Sequence, residues 1–274
     1  MRTLLRWLGV ALLLDGLLSA LLGKSYVRLW RSAPGPLGAL SRGMLGWPFW
    51  AVRLGGVAEA VLGLRVLAAA PLQVRQLYHY FAPIYDASSF TWRERLYPEA
   101  HAAFDRALAA YLPPGGRVLD LGCGTAANLE RILALGLPYG SYTGVDLTPE
   151  MLAVARQKFG HLSKVSFRQL DLLSDPLPEG EYDLIISTWV FSHLTDPRRV
   201  VETGLERLKP GGHMVLLFLS RPQEWPYPLQ LAEKCFLQVG AARPVAEDVW
   251  RSFPGRESVQ QFGGGELTMM VLRK

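Results

Sequence analysis

The chain has 274 residues, of which half are hydrophobic and 19% are charged. This composition supplies enough apolar side chains for a packed core and excludes a disordered or collagen-like chain. At roughly 100 to 200 residues per domain, the length fits one large domain or one domain with an appendage. Two cysteines, Cys123 and Cys235, are too few and too far apart for a disulfide framework or a zinc site, so we expect no metal and a reducing, cytosolic compartment.

The formal net charge of +5 is unevenly distributed. Residues 1–77 contain nine basic and two acidic side chains, whereas the remaining 197 residues contain 20 basic and 22 acidic ones. The basic character therefore belongs to the N-terminal part. Because the second part has a charge of −2 and no basic stripe to neutralise phosphates, a nucleic-acid partner is not expected. We predict two domains, residues 1–77 and 78–274.

Two apolar stretches in the first part predict a helical hairpin. Residues 7–22 are interrupted only by Asp15 and would form a helix of about 24 Å, which is short for the roughly 30 Å hydrocarbon core of a bilayer. Residues 44–70 carry three ionisable side chains that would be costly at the centre of a membrane: Arg53, Glu59 and Arg65. Neither stretch is a clean membrane-spanning helix.

The two stretches also resemble each other at an offset of 47 residues. Each contains a pair of glycines seven residues apart: Gly9 with Gly16, and Gly56 with Gly63. Residues at this spacing lie on one helical face, where small side chains let two helices approach closely. The pattern predicts a small internal repeat whose two helices pack against each other.

The connector between the stretches alternates basic and aromatic residues from Lys24 to Arg31, which suits a lipid headgroup layer, and a Pro/Gly-rich turn is predicted over residues 34–38. These features favour a membrane-associated hairpin with the catalytic domain in the cytosol. The alternative is a soluble helical cap over the catalytic domain. A cleaved signal peptide is disfavoured because no A-x-A-like site follows the apolar run. The number of basic residues does not predict how the hairpin is oriented in a membrane, since four lie in the connector and four lie at the opposite end of the hairpin.

From residue 97, helical patterns alternate with short apolar or β-branched runs, which is typical of an α/β domain with a parallel sheet. We predict helices over residues 98–112, 126–135, 149–159 and 197–208. We predict strands over residues 117–121, 141–145, 165–170, 182–187 and 213–219. This order predicts a doubly wound, Rossmann-like sheet.

The first predicted strand runs into a glycine turn, Gly122-x-Gly124, which would let the backbone come close to a ligand. The turn alone matches a loose dinucleotide-binding pattern. Asp146 ends the second strand, 22 residues after Gly124, where an acid would bind the hydroxyls of a ribose. A dinucleotide and a different adenosine cofactor both remain possible at this point.

Three further features separate these cofactors. Asp120 lies directly before the glycine turn, where a carboxylate can receive a ligand ammonium group. Asp171 ends the third strand, where the amino group of an adenine would lie, and residues 209–212 turn sharply into the fifth strand. Together with VLDLGCGTA, GVDLTPEML, FRQLDLLSDPL, YDLIISTWVFSHL and LKPGGHMVLL in this order, they make residues 78–274 resemble the class I S-adenosylmethionine-dependent methyltransferases. The resemblance is greatest to the small-molecule type that includes quinone-biosynthesis and lipid methyltransferases.

The resemblance implies a seven-stranded sheet with an antiparallel last strand, closed by a hairpin over residues 257–262 and 267–272. It also implies S-adenosylmethionine as the cofactor. The methionine part would contact Asp120, Gly122, Cys123 and Gly124. The ribose and adenine would contact Asp146, Leu147, Met151, Asp171 and Leu172. The N-terminal lid and the substrate-facing rim of the family would correspond to Tyr85, Thr188, Trp189 and His193.

Several of these positions have alternative interpretations. His193 is the preferred candidate for a polar contact near the transferred methyl, and the alternative is a loop histidine bonded to Asp196. Most aromatic residues between 78 and 97 are expected to be packing residues, with Tyr85 as the exception. Cys123 is better explained as a small residue between glycines than as a nucleophile. Ala126 stands where the family often has glycine, and we expect alanine to suit the start of a helix.

The expected function is methyl transfer from S-adenosylmethionine to a small acceptor, hydrophobic or lipid-like, at a membrane. A soluble enzyme with a helical cap, a non-catalytic cofactor-binding protein and a nicotinamide-dependent dehydrogenase are the alternatives. Residues 221–256 correspond to the substrate-specificity insertion of the family. The sequence specifies neither the acceptor atom nor the oligomeric state.

Overall fold

A computed structural model describes residues 2–69, 74–82, 85–86, 97–220 and 242–274. Residues 2–69 belong to one compact unit, and the other described residues belong to a second. Part of the predicted aromatic lid, including Phe90 and Trp92, lies outside the described residues, as do residues 221–241 of the predicted insertion.

The described residues of the first unit are mostly helical. Its elements are α1 (Arg2–Leu22), α2 (Lys24–Val27), a 3₁₀ turn (Arg28–Trp30), α3 (Gly35–Leu45) and α4 (Phe49–Ala69). Helix α1 has 21 residues and a length of about 31 Å, so it is longer than the stretch predicted from hydropathy. The turn predicted over residues 34–38 is wrong in part because α3 begins at Gly35. Pro36 falls in its first turn, where a missing backbone N–H leaves no helical hydrogen bond unmade.

Helices α1 and α4 are antiparallel and pack through the predicted glycines. A Cβ atom added at Gly16 would lie 2.4 Å from the backbone nitrogen of Ala60 and 2.6 Å from the carbonyl oxygen of Gly56. One added at Gly63 would lie 2.8 Å from the carbonyl oxygen of Gly9. Real side chains do not tolerate such distances, so the predicted close approach is confirmed. The 47-residue offset relates Gly9 to Gly56 and Gly16 to Gly63, so the repeat maps the Gly9–Gly63 contact onto the Gly16–Gly56 contact. The hairpin therefore has an approximate twofold symmetry.

The second unit contains six helices and seven strands among its described residues. The helices are α5 (Val74–Phe81), α6 (Pro98–Tyr111), α7 (Ala127–Ala134), α8 (Pro149–Phe159), α9 (Pro197–Glu206) and α10 (Glu247–Arg251). The strands are β1 (Gly116–Leu121), β2 (Tyr139–Asp146), β3 (Val165–Gln169), β4 (Tyr182–Thr188), β5 (Leu208–Leu219), β6 (Arg256–Phe262) and β7 (Leu267–Arg273).

The seven strands form one sheet in the order β3-β2-β1-β4-β5-β7-β6. Strands β1 to β5 pair in parallel, whereas β7 is antiparallel to both β5 and β6. The predicted α/β sheet of seven strands with an antiparallel last strand is therefore confirmed. Strand β5 begins at Leu208, so residues 209–212 form the start of that strand and not only a turn before it.

Hydrophobic cores cover both faces of the sheet. On one face, Phe104 of α6 and Leu129 of α7 pack with Val118 of β1. On the other face, Val200 of α9 packs with Leu119, the next residue of β1. Successive strand residues point to opposite faces, so the central strands β1 and β4 bury side chains on both faces of the sheet. Because β1 to β4 pair in parallel, their carboxyl ends meet at one edge of the sheet, where such folds bind ligands.

Candidate functional site

A cavity opens at this edge, between the carboxyl ends of the strands and helix α5. Eleven of the thirteen predicted site residues line it: Tyr85, Gly122, Gly124, Asp146, Leu147, Met151, Asp171, Leu172, Thr188, Trp189 and His193. The other two, Asp120 and Cys123, lie behind this wall. Sequence reasoning did not assign a site role to several other residues of the wall, among them Val74, Tyr78, Thr148 and Val190.

The glycine turn brings the backbone to the surface of the cavity. Gly122 has φ +71° and Gly124 has φ +53°, dihedral angles that favour residues without a side chain. A Cβ atom at Gly122 would lie 2.2 Å from Cγ2 of Val190, so alanine would collide as well as strain the backbone. The turn therefore leaves space for a ligand that a side chain would fill.

The expectation for Ala126 is wrong. Helix α7 begins at Ala127, and Ala126 precedes it with φ 65° and ψ 37°, in the left-handed region. That conformation costs an L-residue roughly 1–2 kcal/mol relative to glycine. The helix propensity of alanine is irrelevant at a position outside the helix. The fully buried methyl group adds no helical stability here.

Asp146 joins the glycine turn to the end of β2. Its carboxylate accepts hydrogen bonds from the backbone N–H groups of Gly124, at 2.9 Å, and Thr148, at 2.8 Å. Burial raises the pKa of Asp146 above its ordinary value, and these two hydrogen bonds oppose the rise. A carboxylate has about four acceptor positions, so the two oxygens retain capacity for the vicinal hydroxyls of a ribose.

The next part of the wall combines apolar side chains with one carboxylate. Leu147, Met151 and Leu172 line it together with Asp171. The Oδ1 atom of Asp171 accepts a hydrogen bond from the backbone N–H of Leu173, at 2.9 Å, which fixes the side chain at the end of β3. An apolar slot with an acceptor at its edge suits a flat heterocycle that carries an amino group.

Asp120, which was predicted to receive a ligand ammonium group, does not line the cavity. Asp120 is fully buried, where it accepts hydrogen bonds from the hydroxyl of Tyr142, at 2.5 Å, and from Nδ2 of Asn128, at 3.1 and 3.2 Å. Burial raises its pKa to about 7, opposed by these hydrogen bonds. Asn128 and Tyr142 separate the carboxylate of Asp120 from the cavity.

Asp120 reaches the cavity through two other side chains. Because Nδ2 of Asn128 faces Asp120, its Oδ1 atom faces Thr188 and accepts a hydrogen bond from the Thr188 hydroxyl at 3.2 Å. The hydroxyl proton of Thr188 is thereby committed to Asn128. The lone pairs of the Thr188 oxygen remain available on the cavity side, where Thr188 can act as an acceptor for an ammonium group.

Cys123 does not contribute a side chain to the cavity. Its thiol is buried against β2, where a Cβ atom added to Gly144 would lie 2.7 Å from Sγ. Burial raises the pKa of the Cys123 thiol well above its ordinary value. A thiolate nucleophile is therefore not formed here, and the interpretation of Cys123 as a small residue between glycines is supported.

His193 and Tyr78 form a polar pair on the opposite side of the cavity. Nε2 of His193 lies 3.0 Å from the hydroxyl oxygen of Tyr78, and the two rings meet edge to face with centroids 5.5 Å apart. Burial raises the pKa of Tyr78 above its ordinary value, so its hydroxyl stays protonated at neutral pH. Asp196, the alternative partner considered for His193, caps α9 by accepting a hydrogen bond from the backbone N–H of Arg199.

The segment that carries Tyr78 and Tyr85 is tied to the glycine turn. The rings of Tyr78 and Tyr85 are 5.9 Å apart, edge to face. Asp86, next to Tyr85, accepts hydrogen bonds from the hydroxyl of Thr125, at 2.6 Å, and from the ammonium group of Lys158, at 3.1 Å. Tyr78, one of the aromatic residues expected to be packing residues, lines the cavity together with Tyr85.

Trp189 forms an aromatic part of the rim. Its φ of 68° is an uncommon value for a bulky residue and holds the indole in the cavity wall directly after β4. The ring lies 5.9 Å from that of Tyr97 and stacks on that of His101 at 5.8 Å. Tyr97 in turn donates a hydrogen bond to Glu266 at 2.8 Å, so the rim is fixed from both sides.

Residues 119–214 match a protein family described as "Methyltransferase domain". The chain is 32% identical over 113 residues to a ubiquinone/menaquinone biosynthesis C-methyltransferase of Shewanella sediminis, covering 40% of this chain and 45% of that protein. It is 25% identical over 158 residues to a demethylmenaquinone methyltransferase of Tropheryma whipplei, covering 57% and 63%. It is also 34% identical over 142 residues to a reducing polyketide synthase of Penicillium sp., covering 47% and 6%. The chain thus spans less than two thirds of the length of these relatives.

Two solved structures have the same fold. One is an S-adenosylmethionine-dependent methyltransferase of Mesorhizobium loti, with a TM-score of 0.52 and 22% identity over 62% of this chain and 96% of that one. The other is an S-adenosylmethionine-dependent methyltransferase of Thermotoga maritima, with a TM-score of 0.54 and 18% identity over 74% of this chain and 100% of that one. At these identities the likeness establishes the fold alone. With the match over residues 119–214 and the sheet order, it follows that the chain contains a methyltransferase domain with the fold of these S-adenosylmethionine-dependent enzymes.

Proposed function

We propose that this chain transfers the methyl group of S-adenosylmethionine to a small hydrophobic or lipid-like acceptor at a membrane. The proposal rests on one observation: the glycine turn, Asp146 and Asp171 line the same cavity, and its rim is apolar and includes Trp189. Helix α5 crosses the predicted boundary at residues 77/78 and belongs to the second unit, so in this proposal the catalytic domain begins at Val74 and the residues before it are the membrane anchor.

The cofactor is assigned to this cavity by chemical fit. Asp146 would accept hydrogen bonds from the two ribose hydroxyls, and Asp171 would accept one from the adenine amino group. Leu147, Met151 and Leu172 would pack against the adenine ring. Thr188 would accept a hydrogen bond from the ammonium group, with its orientation set through Asn128 by Asp120.

The space left by the glycine turn supports this assignment. Gly122 and Gly124 expose backbone where a side chain would collide, as expected if a bulky ligand group lies directly against them. Tyr85 covers the same side of the cavity, and Asp86 anchors it to Thr125.

The chain itself needs to supply little chemistry. When bound, S-adenosylmethionine supplies a methyl group already activated by a sulfonium centre. The rim would hold the acceptor in line with that methyl group and exclude water. His193 and Tyr78 would orient a polar acceptor group, and His193 would also remove a proton if the acceptor were a hydroxyl or a carbon acid.

The hydrophobic acceptor is supported by the rim and by the relatives. Trp189, Val190 and Leu194 form an apolar wall beside His193. Two of the relatives are named as a ubiquinone/menaquinone biosynthesis C-methyltransferase and a demethylmenaquinone methyltransferase. A hydrophobic acceptor would be met in a bilayer.

The membrane part is supported by the surface of the first unit. Large hydrophobic side chains are exposed along α1 and α4 and in the connector, including Leu4 at 75% and Trp50 at 64%. Soluble proteins rarely expose apolar surface on this scale. Among the described helices, residues Leu4–Leu22 are long and apolar enough to cross a bilayer.

The proposal is tested with full-length protein in mild detergent, S-adenosylmethionine with a radiolabelled methyl group, and extracts of bacterial membranes. We expect label to enter the organic-soluble lipid fraction, and an Asp146→Ala variant to transfer at least tenfold less. Label that enters only water-soluble small molecules would contradict the lipid-like acceptor. A folded protein that binds the cofactor but labels nothing in membrane or soluble extracts would support a non-catalytic binding protein.

A further inference from the structure

The two long helices of the first unit, α1 and α4, must lie at the same depth in a membrane because they pack against each other. Gly9 of α1 faces Gly63 of α4, and Gly16 faces Gly56, so the helices remain in backbone contact for at least two turns. Helix α4 therefore cannot separate from α1 without loss of this packing. If α1 crossed a bilayer, α4 would cross it alongside.

Helix α4 is poorly suited to that position. Glu59 is the middle residue of its 21, and Arg65 is an exposed side chain six residues further on. Arg53 lies near its start, where Nη2 donates a hydrogen bond to the carbonyl oxygen of Leu21 at the end of α1. An exposed arginine and a central carboxyl group both make a spanning position unfavourable.

The connector end of the hairpin is basic and aromatic. Residues 16–58 contain five basic side chains and no acidic one: Lys24, Arg28, Arg31, Arg42 and Arg53. Six large apolar side chains are exposed at the same end among the described residues: Leu29, Trp30, Leu40, Trp47, Phe49 and Trp50. This combination fits the headgroup layer of an anionic bilayer, where tryptophan rings and basic residues are favourable together.

We propose that the hairpin binds one leaflet of an anionic phospholipid bilayer and does not cross it, with the connector in the headgroup layer. The exposed apolar faces of α1 and α4 would lie at the boundary between headgroups and acyl chains. A spanning hairpin would instead carry the five basic residues across the bilayer. This inference rests on the membrane part of the proposed function and specifies its partner.

The test uses full-length protein diluted from mild detergent into preformed vesicles, which are then floated on a density gradient. We expect binding to vesicles with 30% phosphatidylglycerol to exceed binding to pure phosphatidylcholine by on the order of tenfold or more, and to weaken as salt rises. An Arg28→Gln/Arg31→Gln variant should lose binding to a similar extent. A control variant, Arg198→Gln/Arg251→Gln, removes the same charge from exposed positions of the second unit and should bind within about twofold of wild type. Membranes from expressing cells should release the protein in alkaline carbonate.

Other results would overturn the inference. Retention in the membrane pellet after carbonate, together with vesicle binding that ignores lipid charge, would indicate a spanning hairpin. No vesicle binding at any composition would indicate a soluble cap. Circular dichroism of the variants shows whether a loss of vesicle binding comes from misfolding. The salt dependence of wild-type binding tests the role of charge without any substitution. Binding of S-adenosylhomocysteine by the same preparation separates a failure here from a failure of the methyltransferase proposal.

Discussion

The Tyr78 hydroxyl lies 3.0 Å from Nε2 of His193, which couples helix α5 to the loop after β4 across the candidate site. Burial raises the pKa of Tyr78, so the hydroxyl is a neutral group that can donate to the imidazole. The pair places a polar group that can exchange a proton next to an otherwise apolar rim.

If the acceptor must lose a proton, replacing His193 by asparagine should lower kcat by about 10² or more, the usual contribution of a general base. Replacing Tyr78 by phenylalanine keeps the ring packing and should have a smaller effect on kcat. Both variants should bind S-adenosylhomocysteine within about threefold of wild type. Rates of methyl transfer and titration calorimetry measure the two quantities. Equal kcat values for wild type and His193→Asn would remove His193 from the chemistry.

Gly122 should be far less tolerant of alanine than Gly115, although both have positive φ. At Gly115, which has φ +75° and open space around the added atom, alanine should cost roughly 1–2 kcal/mol of backbone strain. At Gly122 the added atom also collides with Val190, so we expect a loss of more than about 3 kcal/mol and no cofactor binding. Denaturant unfolding compares the two, and a Gly122→Ala/Val190→Ala double variant should recover part of the loss. Equal losses would mean that Val190 adjusts freely.

Adjacent glycines of α4 provide a matched test of the helical hairpin. A Cβ atom at Gly56 would lie 2.5 Å from the backbone nitrogen of Ala20, whereas one at Gly55 meets nothing within 4 Å. We therefore expect Gly56→Leu to disrupt the pairing of α1 with α4 and Gly55→Leu to preserve it. Limited proteolysis in detergent should cut the first variant within residues 2–69 much faster than wild type. Similar cleavage of both variants would show that the glycine contact does not hold the hairpin together.

Asp120 should make the stability of the second unit depend on pH. Its pKa of about 7 exceeds the ordinary value of 3.8, so the folded state holds the proton more tightly than the unfolded state. Stability should therefore decrease as pH rises from about 4 to about 7 and level off above. An Asp120→Asn variant lacks this contribution, which amounts to roughly 4 kcal/mol for a shift of about three pKa units. The Tm difference between the proteins should therefore change by on the order of ten degrees over that range, since 1 kcal/mol corresponds to roughly 2–4 °C for a domain of this size. A constant Tm difference would mean that Asp120 is ionised throughout.

The order of elements in the second unit could be predicted because each signal is local. Helix α8 over residues 149–159 was predicted to the residue, since Pro149 marks its start and Gly160 follows its end. The acids at the ends of β2 and β3 were placed at the site for a similar reason. Parallel strands bring their carboxyl ends to one edge, so strand assignment alone brings Asp146 and Asp171 together.

The features that were missed depend on contacts between distant residues. The hydrogen bonds from Asn128 and Tyr142 to Asp120 join positions 8 and 22 residues apart, and no local pattern predicts that they enclose the carboxylate. Tyr78 lies 115 residues from His193, and its spacing in the helix does not distinguish it from a packing aromatic. The left-handed conformation of Ala126 was missed because helix propensity describes residues within a helix, and this residue lies one position before it.

The most direct measurement is a calorimetric titration of S-adenosylhomocysteine into the full-length protein in mild detergent. We predict binding in the micromolar range, weakened at least tenfold by Asp146→Ala, which corresponds to about 1.4 kcal/mol. Asp248→Ala, which removes an exposed carboxylate from α10, serves as the charge-matched control and should leave the affinity unchanged. Absence of binding by protein that unfolds cooperatively, or equal affinity in the Asp146→Ala variant, would contradict the assignment of this cavity to the cofactor.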